Sequence, residues 1–217
     1  MHRRVIIRGK SESVELLRKA LGAIPTGLSR INRLTTTLLG KELDRLDSRL
    51  QQHLAEFRSD ERSRSNIEYW MKREIRESYD AAFYYGRVGG GRDAELDAKD
   101  QKQLRRLRYG QYRYLRAFLD DVEAGRGVMG YTRRMRMYAD SLSAPFWLGF
   151  VMANRSNKRR ITWKTTPAEH CSTCAELDGR TWTPRAFMKW FQRNRILPGV
   201  GTECLSNCRC FLSEAYV

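Results

Sequence analysis

A chain of 217 residues, 41% of them hydrophobic and 11% aromatic, can fill one large domain or two smaller ones, and this composition excludes wholesale disorder. Forty-one Lys/Arg against 25 Asp/Glu give a net charge of +16 and a pI near 10.1, so the surface is drawn to polyanions: nucleic acid, an acidic protein face or an anionic membrane. The longest apolar run, Ala144 to Ala153, falls short of the roughly 20 residues that span a bilayer, and Val5-Ile6-Ile7 is too short for a secretory leader. The sequence therefore predicts no membrane spanning, and a reducing, cytoplasmic setting for synthesis.

Residues 1–10 carry Arg3, Arg4, Arg8 and Lys10 without a clear period and read as a basic arm. Ser11 and Ser13 are candidate N-caps for a short helix reaching Leu21, with Gly22 as its stop. From Pro25 and Thr26 a long helix is predicted, because Leu28, Ile31, Leu34, Leu38, Leu39, Leu43, Leu46, Leu50, Leu54 and Phe57 recur at steps of three and four. Gly40 and Thr35-Thr36-Thr37 interrupt a clean heptad, which favours a bundle within the chain over an intersubunit coiled coil. Self-association through this helix is the alternative.

After a polar break at 59–65, a helix is expected from Asn66 to Gly86 with Ile67, Trp70, Met71, Ile75, Tyr79, Ala82 and Phe83 as its apolar stripe. Gly89-Gly90-Gly91 lacks the spacing of a phosphate-binding loop and reads as a hinge or loop. A further helix from Asp93 to Glu123 would face inward with Leu104, Leu107, Gln111, Tyr114, Leu115, Phe118 and Val122. Another covers Tyr131 to Asn154, kinked or divided by Pro145. Its end at Phe146-Trp147-Leu148 reads first as buried core and second as a docking patch for another subunit.

Charge is concentrated. Residues 101–160 hold 14 Lys/Arg and four acids, +10 of the total +16. Arg105, Arg108, Arg113, Arg116, Arg133, Arg134, Arg136, Lys158, Arg159 and Arg160 are the candidate contacts to nucleic acid or an acidic partner. Arg105, Arg108 and Arg116 are expected to share a helix face with Tyr109 and Tyr112 interleaved, suited to non-specific phosphate contact. No recognition-helix motif accompanies them, and a solvated helix face is the plain alternative.

Arg160-Ile161-Thr162-Trp163-Lys164-Thr165 alternates like a strand. Asp178-Gly179 signals a hairpin between 175–177 and 180–182. Thr183-Pro184 is an N-cap with proline at the first helical position, opening a short helix with Phe187, Trp190 and Phe191 on one face. Cys208 to Leu212 reads as the last strand, placing Cys208 and Cys210 on one side.

All five cysteines, Cys171, Cys174, Cys204, Cys208 and Cys210, fall in the last 48 residues, as C-x2-C and C-x3-C-x-C separated by 29 residues, with His170 directly before the first pair. Tetrahedral zinc takes four ligands at about 2.0–2.3 Å, and two short clusters closing a loop supply them. Disulfides are a second reading, although five thiols leave one over, and reduced packing cysteines a third.

Together these readings give an α+β, mainly α fold: a long-helix N-terminal bundle followed by a small cysteine-rich β module with one short helix. The expected divisions are a basic arm over 1–10, a helical domain over 11–157 and the cysteine module over 158–217.

Trp163-Lys164-Thr165, Ala168-Glu169-His170-Cys171-x-x-Cys174, Leu177-Asp178-Gly179-Arg180-x-Trp182, Leu197-Pro198-Gly199 and Cys204-Leu205-Ser206-Asn207-Cys208-Arg209-Cys210 resemble the C-terminal signature of tailed-phage minor head proteins, the head-morphogenesis family that includes phage Mu F-like proteins. Looser resemblance extends to 111–119 and 134–138. The resemblance implies a virion structural protein, made in the host cytoplasm and associated with the portal protein, the major capsid protein and packaged DNA. Many members carry a histidine a few residues before the Cys-Arg-Cys step, where this chain has Cys204 with three residues, not two, before Cys208. The favoured ligand set is Cys171, Cys174, Cys204 and Cys208, with Cys210 and His170 as the other candidates.

His2, His53 and His170 are the three histidines, and none has a neighbouring acid-and-metal motif suited to hydrolysis, so no enzymatic activity is expected. The alternative function is a zinc-ribbon DNA-binding regulator or recombination accessory factor.

Overall fold

The structure is a computed structural model that describes residues 28–90, 96–127, 129–153, 159–165, 170–198, 201–203 and 210–216. The basic arm, the helix expected from Ser11 to Leu21, Gly91, Lys158, Cys204 and Cys208 lie outside those residues. The order of elements is α1 (Leu28–Arg58), α2 (Arg64–Gly89), α3 (Ala98–Glu123), α4 (Tyr131–Asp140), α5 (Ser143–Ala153), β1 (Arg159–Lys164), α6 (Ser172–Leu177), β2 (Thr181–Trp182), α7 (Pro184–Asn194) and β3 (Phe211–Tyr216). The fold is α+β and mainly helical, with a small antiparallel sheet ordered β2-β1-β3.

Local chemistry explains where the helices begin. The Ser63 hydroxyl accepts from the Asn66 amide at the start of α2. Asp97 and Asp100 form a reciprocal capping box at the start of α3, each carboxylate accepting the other's backbone N–H at 2.8–3.0 Å. Helix α3 therefore starts at Ala98, later than Asp93, where the apolar pattern alone would place it.

The core is built on α2, which packs along both α1 and α5. Leu46, Leu50 and Leu54 of α1 are buried in one cluster with Ile67, Met71 and Ile75 of α2. Gln51 of α1 also donates to the Thr132 carbonyl of α4. The α1 stripe over 46–54 is thus used inside its own chain, as a bundle requires. On α3 the inward residues are Leu104, Leu115, Phe118 and Leu119, whereas Tyr114 is 57% exposed. The expectation that Tyr114 belongs to the apolar face is corrected: one position on the wheel separates it from Leu115.

The predicted break near Pro145 falls at Ser141-Leu142, and Pro145 sits in the first turn of α5, where its missing N–H has no intrahelical partner to lose. Ser141 donates to the Tyr138 carbonyl at 2.6 Å and accepts the buried Tyr79 hydroxyl at 2.6 Å, tying the break to α2. Eight of the eleven α5 residues are buried, including Phe146 and Leu148. A helix apolar on all sides belongs in the middle of a protein, so the core reading of this segment holds.

Helix α5 reaches α2 through small residues. A Cβ on Gly86 would collide with the Phe146 carbonyl oxygen, and one on Gly149 with the Phe83 carbonyl oxygen. A Cβ on Gly90 would lie 2.6 Å from the Phe150 carbonyl oxygen and 2.8 Å from Ala153 Cβ. Gly90, expected in a hinge or loop, is a buried packing residue that caps α2. Gly86 and Gly90 on one helix and Gly149 and Ala153 on the other are each four apart, so both backbones approach along one small-residue row. Among the described residues no helix is long and apolar enough to cross a membrane.

In the C-terminal module, β1 pairs with β2 through Ile161–Trp182 and with β3 through Trp163–Leu212 and Lys164–Phe211. Ile161, Trp163 and Leu212 are buried and join the same cluster as the helical core. Helix α7 starts as expected, with Thr183 accepting from the Ala186 amide and Pro184 at the first turn. Phe187 and Phe191 are buried; Trp182 meets Phe187 edge-on at 5.4 Å, and Trp190 lies tilted against both, 5.2 Å from Trp182 and 5.7 Å from Phe187.

Two further expectations are corrected. Residues 175–177 are not a hairpin arm but the end of α6, because Ala, Glu and Leu are strong helix formers and an Asp-Gly pair can end a helix as well as turn a hairpin. The last strand begins at Phe211, so Cys210 precedes it.

Candidate metal and polyanion sites

Cys171 is the N-cap of α6 and Cys174 lies in its first turn, fully buried. Cys210 is also buried, immediately before β3. His170, Cys171 and Cys174 all have interaction partners. The turn after α6 is fixed by the Leu-Asp-Gly-Arg residues. Leu177 is buried, and its carbonyl accepts the Arg180 amide. Gly179 adopts φ 71°, a conformation that disfavours a Cβ, and its amide donates to the Trp163 carbonyl at 3.0 Å. The Asp178 carboxylate accepts the Thr165 amide at 2.9 Å, which holds its pKa below the ordinary value.

This turn clamps the first cysteine pair against β1. A second tie joins the far part of the loop: Ser172, next to Cys171, donates to Glu203 at 2.6 Å, and Glu203 is the residue before Cys204. Ser143 of α5 donates to the Pro198 carbonyl, anchoring the Leu-Pro step to the helical core. Among the described residues no three His, Cys, Asp or Glu gather in a group that could hold a metal ion. His170, Cys171, Cys174 and Cys210 are all described, so they do not make a metal site by themselves.

The basic residues divide into two sets. Along the α2–α3 seam, acids of one helix meet bases of the other in antiparallel register: Arg87 with Asp100, Asp80 with Arg108 at 2.9 Å, Glu68 with Arg116 at 2.9 Å, and Arg64 with Asp120 and with Glu123. Arg108 is thus turned inward and does not share the outer face proposed for it. Arg134 pairs with Asp121 at 2.8 Å and lies over Phe118; Arg136 meets Asp47, Asp44 and Asp140. Arg160 has a partner, and the side chain of Arg159 lies outside the described ones.

Lys102, Arg105, Arg106, Arg113 and Arg133 are exposed and have no acidic partner among the described residues. Sequence reasoning does not single out Lys102 and Arg106 as site residues. The signal that finds them is the wheel position, which for each lies within about 60° of Tyr109, as it does for Arg105, Arg113 and Arg116.

The seam also contains a proton-linked group. Burial pushes the Asp80 carboxyl up from 3.8 to about 6, against the opposing pull of Arg108. A carboxylate raised on folding contributes stability that is full below its unfolded pKa and is lost as pH rises through its folded one. Two units correspond to about 3 kcal/mol between the protonation states. The expected result is that wild type loses about 2–3 kcal/mol more than Asp80→Asn between pH 4 and pH 7. Urea unfolding of both proteins at the two pH values measures the difference; parallel pH profiles would contradict it.

No protein-family model, curated protein or solved structure matches the chain.

Proposed function

We propose that this chain is a structural protein of a tailed-phage virion, a minor head protein acting in head assembly at the portal and capsid interior, with non-specific contact to packaged DNA. The single observation that carries the reading is that signature residues meet in one module: Trp163 and Leu177-Asp178-Gly179-Arg180 close the turn after the helix holding Cys171 and Cys174, and Pro198 is tied to α5 beside it through Ser143. Its partners in this role are the portal protein and the major capsid protein. The exposed bases of α3 supply the contact to DNA.

In the same reading a structural zinc staples the module through Cys171, Cys174, Cys204 and Cys208. The residues fit such an ion: two cysteines three apart at the start of one helix can meet one metal from a single turn. The Ser172–Glu203 bond supports the second pair, since it brings the chain entering Cys204 to the residue after Cys171. Thiolate ligands would close the fold of a segment whose own core is small.

Purified particles are expected to contain the chain, and portal protein is expected to co-purify with it from assembling heads. Absence from both virions and procapsids would refute the head role. Metal analysis of reduced, freshly purified protein should find about one zinc per chain; none would refute the staple while leaving the head role open to the particle test.

A further inference from the structure

The outer face of α3 is one uninterrupted cationic row. Between 101 and 119 the sequence has six Lys/Arg and no acid. The fold removes Arg108 from that row, through Asp80, and places Arg116 at its end against Glu68. What is left pointing outward is Lys102, Arg105, Arg106 and Arg113, arranged around Tyr109, whose ring is 66% exposed. Tyr114 is also exposed, but it lies about 140° round the helix from Tyr109 and is not part of the row. From Lys102 to Arg113 the row is about 16 Å long.

Two features decide the ligand. Four cations without acidic partners along one helix face suit a polyphosphate backbone better than a compact anion. The exposed phenol ring at their centre, braced edge-on by Tyr112 at 6.4 Å, offers a flat apolar surface that phosphates do not use. Base faces do use it, and they are available only when bases are unstacked. We infer that the Lys102–Arg113 face of α3 binds single-stranded nucleic acid, its cations tracking the backbone while Tyr109 stacks on a base. This rests on the α3 face alone and goes beyond the virion role, which packaged duplex would satisfy without Tyr109.

Fluorescence anisotropy of the full chain with a labelled oligothymidylate, and with a duplex of equal length, tests it across a salt series. The single strand should bind more tightly. Tyr109→Ala should weaken it about tenfold and leave duplex affinity unchanged. The combined Arg105→Gln, Arg106→Gln and Arg113→Gln variant should flatten the salt slope by about 2, roughly 0.7 for each phosphate no longer neutralised. Circular dichroism should show every variant folded. The inference is overturned if the triple variant binds like wild type, if Tyr109→Ala leaves single-strand affinity intact, or if duplex or polyglutamate competes equally well. Any of these outcomes leaves the head role standing, because entry into particles is scored separately.

Discussion

Gly86→Ala is expected to unfold the protein at a temperature several degrees lower than wild type, whereas Gly110→Ala, the same change in the next helix, should raise it slightly. Both glycines are helical, and alanine favours an isolated helix by about 1 kcal/mol at either position. The difference lies in what the new methyl would meet. At Gly110 nothing stands within 4 Å, so the propensity gain is realised. At Gly86 the methyl would overlap the Phe146 carbonyl oxygen and sit 2.9 Å from the Phe150 backbone nitrogen. Backbone atoms of a buried helix cannot swing aside as a side-chain end can, so α5 would have to move away from α2. Overpacking of this kind costs about 1–3 kcal/mol and more where backbone must shift. Because α5 is held between α2, α3 and α7, its displacement would disturb much of the core. A net loss near 3 kcal/mol corresponds to about 6–12 °C in Tm for a chain of this size. Gly149→Ala, facing the Phe83 carbonyl across the same crossing, should behave like Gly86→Ala. Thermal melts of the three variants check the prediction; equal Tm values would show that the two helices do not cross this closely.

Arg87→Met should be the most damaging of the charge substitutions. Arg87 and Asp100 form an ion pair whose side chains are 6% and 3% exposed. Asp100 has a second duty, accepting the Asp97 amide in the capping box of α3. Removing the guanidinium leaves a carboxylate buried and uncompensated, which typically costs about 3–5 kcal/mol. Adding Asp100→Asn should restore more than half of that loss, because the neutral amide no longer needs a counter-charge and its oxygen can still accept from Asp97. Opening of the exposed pairs at the other end of the seam, such as Arg64→Gln, should cost under about 1 kcal/mol. Chemical denaturation of the two single variants and the double variant forms the cycle that measures the coupling. If Arg87→Met and the double variant are equally unstable, the pair is not the unit that holds α3 to α2.

How much of this was legible in the sequence differs by element. The long periodic helices were readable because burial of one face imprints a repeat of three and four on the residues, as at Leu46, Leu50 and Leu54 or Ile67, Met71 and Ile75. Thr183-Pro184 was readable because capping is a local matter of one side chain and one amide. Residues 175–177 carry no legible signal, since three residues are too few to show a period and Asp-Gly serves two kinds of turn. The α3 start moved from Asp93 to Ala98 because the capping box, not hydrophobicity, sets it.

The cationic helix shows the limit most clearly. Its charge and its lack of acids between 101 and 119 are properties of the sequence, and they are the reason a polyanion is proposed as its partner. Which bases are available for one was decided only by the fold, when Asp80 and Glu68 came into register with Arg108 and Arg116 across the α2–α3 seam. The sequence likewise gathered the cysteines into two clusters and surrounded them with Leu-Asp-Gly-Arg. Only the tertiary structure tied that turn to β1 through Asp178 and Gly179, and brought Glu203 to Ser172. The physical reason is the same in each case. Periodicity, charge and caps act over a few residues and are written along the chain. Ion pairs, glycine crossings and loop closure join residues tens of positions apart, and nothing local records which partner they will meet.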